Sequence, residues 1–346
     1  MRNPAPPAEV STAAAARPIE SANTMGAIVQ ESYGTPDQLR YTRTTLPVPA
    51  DDEVLVRVNA AGVNRGTVHL MTGRPYLMRI MGFGFRTPKN RVPGQDAAGT
   101  VVAVGSAVTR FAVGEEVFGI GRGTFAEYAV AREDTLARKP AGTTFPQAAA
   151  VGISALTALQ ALRDVGRVQP GQRVLIIGAS GGVGTAAVQL AKALGADVTG
   201  VCSPEKLPLV RSLGADRVID YTSDDFADGT QRYDLILDIG GNPTVTRLRR
   251  ALTPTGTAVI VGGENGGNVT GMSRQLRALA VSPFVGQRLR LVVCKENAAD
   301  LEELAGLMES GRFTPSIDRT YPLDRAPEAV RRLESGAVAG KVVITV

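Results

Sequence analysis

Between Val174 and Gly184 the chain passes from four aliphatic residues, Val174-Leu175-Ile176-Ile177, into Gly178-Ala179-Ser180-Gly181-Gly182-Val183-Gly184, and then into a helical period from Thr185 to Leu194. Few backbones satisfy that order. A short aliphatic run without a polar face reads as a strand buried on both sides. Glycines directly after it permit a tight turn into a helix whose first N–H groups are unbonded. In the dinucleotide frame the turn reads Ala179-x-Gly181-x-x-Gly184, with Ala in place of the first glycine. Free N–H groups and the partial positive charge of a helix N-terminus suit a pyrophosphate, which assigns Ser180, Gly181, Gly182, Val183 and Gly184 to cofactor binding. A tight glycine turn in a non-binding α/β domain is the competing reading.

The second strand of such a unit, Val198 to Val201, ends in Cys202-Ser203 rather than in Asp or Glu. An acid at that tip would accept hydrogen bonds from the ribose hydroxyls of NAD. Ser203 and Lys206 instead offer a hydroxyl and a cation for a 2′-phosphate, which a carboxylate about 4 Å away would repel by ~4 kcal/mol at an effective dielectric of 20. NADPH is the expected cofactor, with Glu205 working against it and an ordinary exposed helix residue as the plain alternative for Lys206.

With 346 residues the chain is long enough for two domains at roughly 150 residues each. Residues 1–24 are rich in Pro and Ala without apolar period and are expected to be a disordered leader. From Met25 to about Ala141 short strands lie between turns: Gly26–Glu31, Glu53–Ala60, Gly99–Val104, Glu116–Phe118 and Ala126–Val130. After Pro146 the texture becomes alternating helices and buried strands: a helix over Ala148–Val165, then strands at Arg173–Ile177, Leu235–Ile239, Thr257–Val261 and Leu289–Cys294. The echo Leu194-Gly195-Ala196-Asp197 and Leu213-Gly214-Ala215-Asp216 places a capping glycine after each of two helices. One more helix, Ala298–Glu309, precedes short strands ending at Lys341–Val346. The expected division is a β-rich domain from 25–146 plus 297–346, interrupted by a doubly wound parallel sheet of six strands over 147–296.

A net charge of +5 raises the question of nucleic acid, but the basic residues look dispersed and no recognisable binding module is present, so no nucleic-acid partner is expected. No apolar stretch is long enough to span a bilayer, and no membrane partner is read from the sequence. Two cysteines, Cys202 and Cys294, support neither a disulfide framework nor a four-cysteine zinc lobe, which fits a reducing cytoplasm.

Ala60-Ala61-Gly62-Val63-Asn64, the stretch Val92-Pro93-Gly94-Gln95-Asp96-Ala97-Ala98-Gly99, Gly123-Thr124-Phe125-Ala126-Glu127-Tyr128, the 178–184 loop and the segment Leu213 to Tyr221 together resemble the medium-chain dehydrogenase/reductase superfamily, on its zinc-free quinone oxidoreductase side. The resemblance runs from Met25 to Val346. It implies a GroES-like catalytic domain interrupted by a Rossmann domain, a cleft between them, frequent homodimers paired through a strand such as Leu289–Cys294, and Tyr221 joining Ser203 and Lys206 around the 2′-phosphate. Zinc-dependent members carry thiolate or imidazole ligands where this chain has Asn64, Gln95 and approximately Val151, so no metal is expected. Without a Lewis acid, alcohol oxidation is disfavoured while hydride delivery to an already electrophilic carbon remains available.

Several residues keep two readings. His69, the only histidine, is either a packed or surface residue or a proton donor facing the substrate. Asn64 is either a turn amide bonding its own backbone or a contact to the nicotinamide ribose or substrate. Thr157 matches a family position near the nicotinamide or is a hydroxyl bonded within its helix. Gly262 and Gly263 open a glycine-rich turn beyond the fifth strand, suited to close approach of nicotinamide or to a surface loop. Leu70 to Arg91 is read as much of the substrate entrance, with Met71, Tyr76, Met78, Met81, Phe83 and Phe85 lining it or packing internally. The leading expectation is an NADPH-dependent oxidoreductase passing hydride to a quinone or to an activated carbon–carbon double bond of a small hydrophobic electrophile. A biosynthetic cyclase or carbonyl reductase, and a non-enzymatic NADPH-binding regulator, are the alternatives.

Overall fold

A computed structural model describes residues 23–262 and 273–346. Residues 1–22 of the expected leader lie outside the described residues, as do Gly263 to Gly267 of the second glycine turn. The chain opens with β1 (Thr24–Gln30) paired antiparallel to β2 (Leu39–Thr45), then β3 (Glu53–Val63) and α1 (Arg65–Thr72). The ladder Thr24↔Thr45 takes Thr24 out of the leader and into the first strand. Next come β4 (Asp96–Val104), β5 (Glu116–Ile120), β6 (Tyr128–Arg132), β7 (Leu136–Arg138), α2 (Phe145–Ala149) and α3 (Gly152–Gln160).

The α/β alternation follows: β8 (Arg173–Ile177), α4 (Gly182–Ala193), β9 (Asp197–Cys202), α5 (Leu207–Ser212), β10 (Arg217–Asp220), β11 (Tyr233–Asp238), α6 (Val245–Ala251), β12 (Leu252–Ile260), α7 (Ser273–Val281) and β13 (Arg288–Leu291). The chain closes with α8 (Ala298–Glu309), β14 (Ile317–Pro322), α9 (Ala326–Glu334) and β15 (Lys341–Thr345).

Strands β8 to β13 form a six-stranded parallel sheet in the order β10-β9-β8-β11-β12-β13. The order reverses between β8 and β11, the position where open parallel sheets leave a crevice at their carboxyl edge. Both faces are covered. On β8, Val174 and Ile176 pack into one core with Leu156 and Leu159 of α3, while Leu175 and Ile177 pack into another with Ile236, Ile260 and Leu289. A strand buried on both faces needs apolar residues at every position, which is why this segment lacks alternation. Gly195 and Gly214 have φ of 81° and 99°, as helix-terminating glycines require.

The remaining strands build a seven-stranded sheet, β14-β15-β3-β4-β5-β7 with β6 also on β3, and a small β1–β2 sheet. Residues near the C-terminus therefore return to the early strands: Val342 pairs with Val63 and Thr345 with Ala60. One tie between the two parts of the chain is made by Gly340, whose N–H donates to the Ser180 carbonyl at 2.8 Å. No helix among the described residues is long and apolar enough to cross a membrane.

Two expected elements are corrected. The helix over Ala148–Val165 is broken between α2 and α3, and beyond Gln160 it widens into a π turn over Ala161–Gly166. The break is made from outside, because the Asp96 carboxylate accepts the Ile153 N–H at 3.0 Å and so caps α3. The strand expected over Leu289–Cys294 ends at Leu291, where its pairing with β12 reaches the last strand residue there, Ile260.

Candidate active site

The glycine loop leaves α4 without a side-chain cap. Gly181 is the N-cap residue, and Thr185 N–H reaches back to its carbonyl at 2.8 Å. A Cβ on Gly184 would lie 2.1 Å from the Gly178 carbonyl oxygen, so only glycine lets the helix approach the strand this closely. A Cβ on Gly181 would meet nothing nearer than 3.7 Å, which leaves the outward side of the turn open. An uncapped N-terminus beside open space is the geometry that receives a phosphate group. Ser180, Gly181, Gly182, Val183 and Gly184 are thus brought together as expected, with the Ser180 carbonyl held by Gly340.

At the tip of β9, Ser203 and Lys206 share one short turn, closed by Lys206 N–H to Ser203 C=O at 3.0 Å. Tyr221 joins them from the end of β10, its N–H donating to Cys202 C=O at 3.3 Å, and its ring is exposed. The side chains are engaged locally: Ser203 Oγ donates to Glu205, and Lys206 Nζ donates to the Gly336 carbonyl at 2.8 Å. The Ser203 hydroxyl holds the Glu205 carboxyl below its ordinary range. Glu205 is therefore an anion at the edge where a second anion is expected, and Lys206 is the cation available against it.

Asn64 caps α1, its Oδ1 accepting from Thr67 N–H at 2.9 Å and from the Thr67 hydroxyl at 3.3 Å. Its Nδ2 is buried and has no partner among the described residues. Gln95 stands beside it: a Cβ on Gly66 would lie 3.0 Å from Asn64 Oδ1 and 3.2 Å from Gln95 Oε1. Two positions that hold metal ligands in the zinc-dependent pattern thus converge here with amides, while Val151, between α2 and α3, is fully buried. Among the described residues no three His, Cys, Asp or Glu side chains are grouped as a metal site requires.

His69 lies on α1 with Nδ1 at 2.9 Å from the Arg74 carbonyl oxygen. A carbonyl carries no proton, so Nδ1 is the donor and Nε2 can give up a proton only from the imidazolium. Thr157 Oγ1 donates to Ile153 C=O at 2.7 Å within its own helix. Gly262 approaches Ile239 closely, and its carbonyl accepts from Arg274 at 2.8 Å. Gly263 lies outside the described residues.

The residues that sequence reasoning missed are charged and buried. Lys341 Nζ pairs with Asp96 Oδ2 at 2.9 Å and donates to Ser154 Oγ at 3.2 Å, with both charged side chains almost wholly removed from solvent. Lys341 also runs beneath the glycine loop, since a Cβ on Gly182 would meet its Cδ at 2.8 Å. The available signal was a charge inside an otherwise apolar or small-residue strand: Asp96 before Ala97-Ala98-Gly99, and Lys341 before Val342-Val343-Ile344. At the end of β11, Asp238 pairs with Arg274. Burial pushes the Asp238 carboxyl up to about 7 against the opposing guanidinium, and its Oδ1 has no partner among the described residues. Burial also raises both thiols, Cys202 and Cys294, to about 11, which keeps them protonated at neutral pH.

Comparison with known proteins gives a consistent result. A model of the alcohol dehydrogenase GroES-like domain matches residues 50–141, and a model described as zinc-binding dehydrogenase matches residues 213–344. The mitochondrial NAD(P)H oxidoreductase RTN4IP1 of Mus musculus is 34% identical across 93% of this chain and 89% of its own length. The chloroplastic quinone-oxidoreductase homolog of Spinacia oleracea is 33% identical, covering 94% and 99% of the two chains. The 2-methylene-furan-3-one reductase of Solanum lycopersicum is 32% identical, covering 90% and 76%. Among solved structures, the quinone oxidoreductase from Coxiella burnetii superposes with a TM-score of 0.83 at 29% identity, covering 93% and 99%. The Escherichia coli quinone oxidoreductase complexed with NADPH gives 0.80 at 27% identity, covering 93% and 100%.

Proposed function

The chain belongs to the medium-chain dehydrogenase/reductase superfamily, on its quinone oxidoreductase-like branch, and on that footing we propose that it is an NADPH-dependent reductase of a quinone or an activated carbon–carbon double bond. The observation that carries the reading is the buried, unpartnered Nδ2 of Asn64 beside Gln95, at positions where thiolate or imidazole would be needed to hold zinc. A buried amide donor without an acceptor is costly unless a bound molecule supplies one.

The residues present fit the cofactor. The open turn at Gly181 and the uncapped amides of Gly182, Val183 and Gly184 bind the pyrophosphate, and Ser203, Lys206 and Tyr221 form the edge for the 2′-phosphate. When bound, NADPH supplies a hydride, and the acceptor takes it together with one proton. Asn64 Nδ2 donates a hydrogen bond to the acceptor oxygen or to the nicotinamide ribose, and so orients the reactants or steadies developing negative charge. His69 delivers the proton from Nε2 as imidazolium, or solvent does. Thr157, hydrogen-bonded within α3, shapes the wall without donating.

The division into 25–146 plus 297–346 and 147–296 is supported by the return of β14 and β15 to the sheet of β3. The edge position of β13 in the parallel sheet supports a homodimer that extends that sheet across a two-fold axis. Two free cysteines with no disulfide between them fit a reducing compartment such as the cytoplasm.

The test follows NADPH oxidation with electron-poor quinones and conjugated enones, using deuterated NADPH with each face of the nicotinamide labelled in turn. Label on the carbon distant from the carbonyl of a reduced enone is the expected outcome, with activity unchanged by exhaustive chelation. His69→Phe loses turnover with NADPH affinity preserved if His69 is the proton donor, and keeps it if solvent is. Oxidation of simple alcohols without any acceptor reduction overturns the proposal.

A further inference from the structure

Counted over the whole chain the basic residues look dispersed, but they are not. Residues 65–95 hold six cations, Arg65, Arg74, Arg79, Arg86, Lys89 and Arg91, and no Asp or Glu, while the rest of the chain balances 32 cations against 33 acids. The whole positive excess of the protein sits in this one segment. It is also where apolar side chains come out of the core. Met71 is buried and closes the base, but Ile80, Met81 and Phe85 are 74%, 68% and 71% exposed, with Tyr76, Leu77 and Phe83 partly exposed beside them. Of the two readings of Tyr76, Met81, Phe83 and Phe85, internal packing is not what the fold provides.

These residues project from a fixed base. Arg79 donates to the Gly73 carbonyl at 2.9 Å and lies over the Tyr33 ring at 4.3 Å. The Tyr33 hydroxyl donates to the Gly84 carbonyl at 2.7 Å, and Lys89 N–H closes the loop onto Phe83 C=O at 2.9 Å. The apolar tips are outside although their backbone is tied down on both sides.

We propose that the Tyr76–Lys89 protrusion is a peripheral docking surface for an anionic lipid bilayer, inserting Ile80, Met81 and Phe85 among the acyl chains while Arg86 and Lys89 meet the headgroups. Charge selects this occupant. A second copy of the chain would set Arg86 and Lys89 against the same two cations, whereas an anionic bilayer offers both the opposite charge and an apolar layer beneath it. The surface is interfacial and needs no spanning helix, which is why a search for apolar stretches in the sequence passes over it.

The chain contains no tryptophan, so Phe85→Trp introduces a single emission reporter at an exposed position. Full-length protein is sedimented with vesicles of pure phosphatidylcholine and with vesicles containing about a third phosphatidylglycerol. Expected are a blue shift of the Phe85→Trp variant and pelleting with the anionic vesicles only, weakening as salt is raised. The double variant Ile80→Glu/Met81→Glu lowers partitioning at least tenfold while its urea midpoint and NADPH affinity match wild type. Equal pelleting with both vesicle types, no pelleting with either, or full retention of binding by the double variant overturns the proposal. So does a blue shift that grows with protein concentration in the absence of vesicles, which marks self-association. No quinone enters the assay, so its failure leaves the reductase reading untouched.

Discussion

The two walls of the proposed site are built on different principles. On the sheet side, the glycine loop works through main-chain N–H groups and through the absence of side chains, as the 2.1 Å approach at Gly184 shows. On the other side, Asp96 and Lys341 work through side chains that meet across 245 residues of sequence, and Asn64 and Gln95, brought side by side, present amides. The first wall is a local property of ten or so residues. The second exists only once β4, α3 and β15 have met, and it is stabilised by charge in a region from which water is excluded. The lesson is that a backbone site tolerates exchange of its surroundings but not of its glycines. A side-chain site fails when either distant partner is lost.

The largest effect that would sharpen this contrast is expected at the buried ion pair. Lys341→Met leaves Asp96 charged and uncompensated and should cost about 3–5 kcal/mol in urea unfolding. The double variant Asp96→Leu/Lys341→Met should recover much of that loss, because the desolvation cost of both charges disappears together. Additive losses would show that the two residues do not act as a pair.

Asp238 brings a side-chain test to the sheet wall. Its folded carboxyl titrates near 7, against 3.8 without the protein environment. Between those values the folded chain keeps a proton that the unfolded chain has lost. The associated stability is fully present below pH ~4 and is lost as pH rises through ~7, on the order of 4 kcal/mol in all. Asp238→Asn should flatten unfolding free energy across that window. An unchanged slope in the variant would remove Asp238 as the cause.

A smaller effect is expected from Gly184→Ala, about 2 kcal/mol, since its Cβ meets backbone oxygen rather than a yielding side chain. NADPH affinity should fall with it, whereas an Ala at Gly181, where there is room, should bind nearly as wild type. Equal losses at both positions would break the claim that close backbone approach, and not general loop flexibility, is what the glycines supply. The smallest expected effect is at the β9 tip: Lys206→Ala should weaken NADPH about tenfold while sparing NADH, and Ser203→Asp should reduce the preference through repulsion. Equal losses for both cofactors would place the 2′-phosphate elsewhere.

Much of the nucleotide-binding half was legible because its signals are local. The run Arg173–Ile177 stands where the apolar pattern puts it, and Gly195 and Gly214 take the positive φ their position demands. The break between α2 and α3 was not legible, because residues 148–165 carry an unbroken helical pattern and the capping carboxylate comes from Asp96 on another strand. The early end of β13 depended likewise on where its neighbour stops. Thr157 and Asn64 show the limit at the level of single side chains: each had two readings, and only folding shows which partners lie within reach, the Ile153 carbonyl accepting from Thr157 and Asn64 Oδ1 accepting from Thr67 N–H.

The sequence by itself determined the class of fold, the glycine turn and the replacement of metal-binding side chains by amides, since these depend on residue type and short-range spacing. Only the tertiary structure decided that Lys341 meets Asp96 beneath the glycine loop, that Lys206 reaches across to Gly336, and that Ile80, Met81 and Phe85 face outward. The physical reason is that burial and pairing belong to the assembled core. A charge or an apolar side chain carries no mark of its partner until strands and helices from distant parts of the chain have enclosed it or left it exposed.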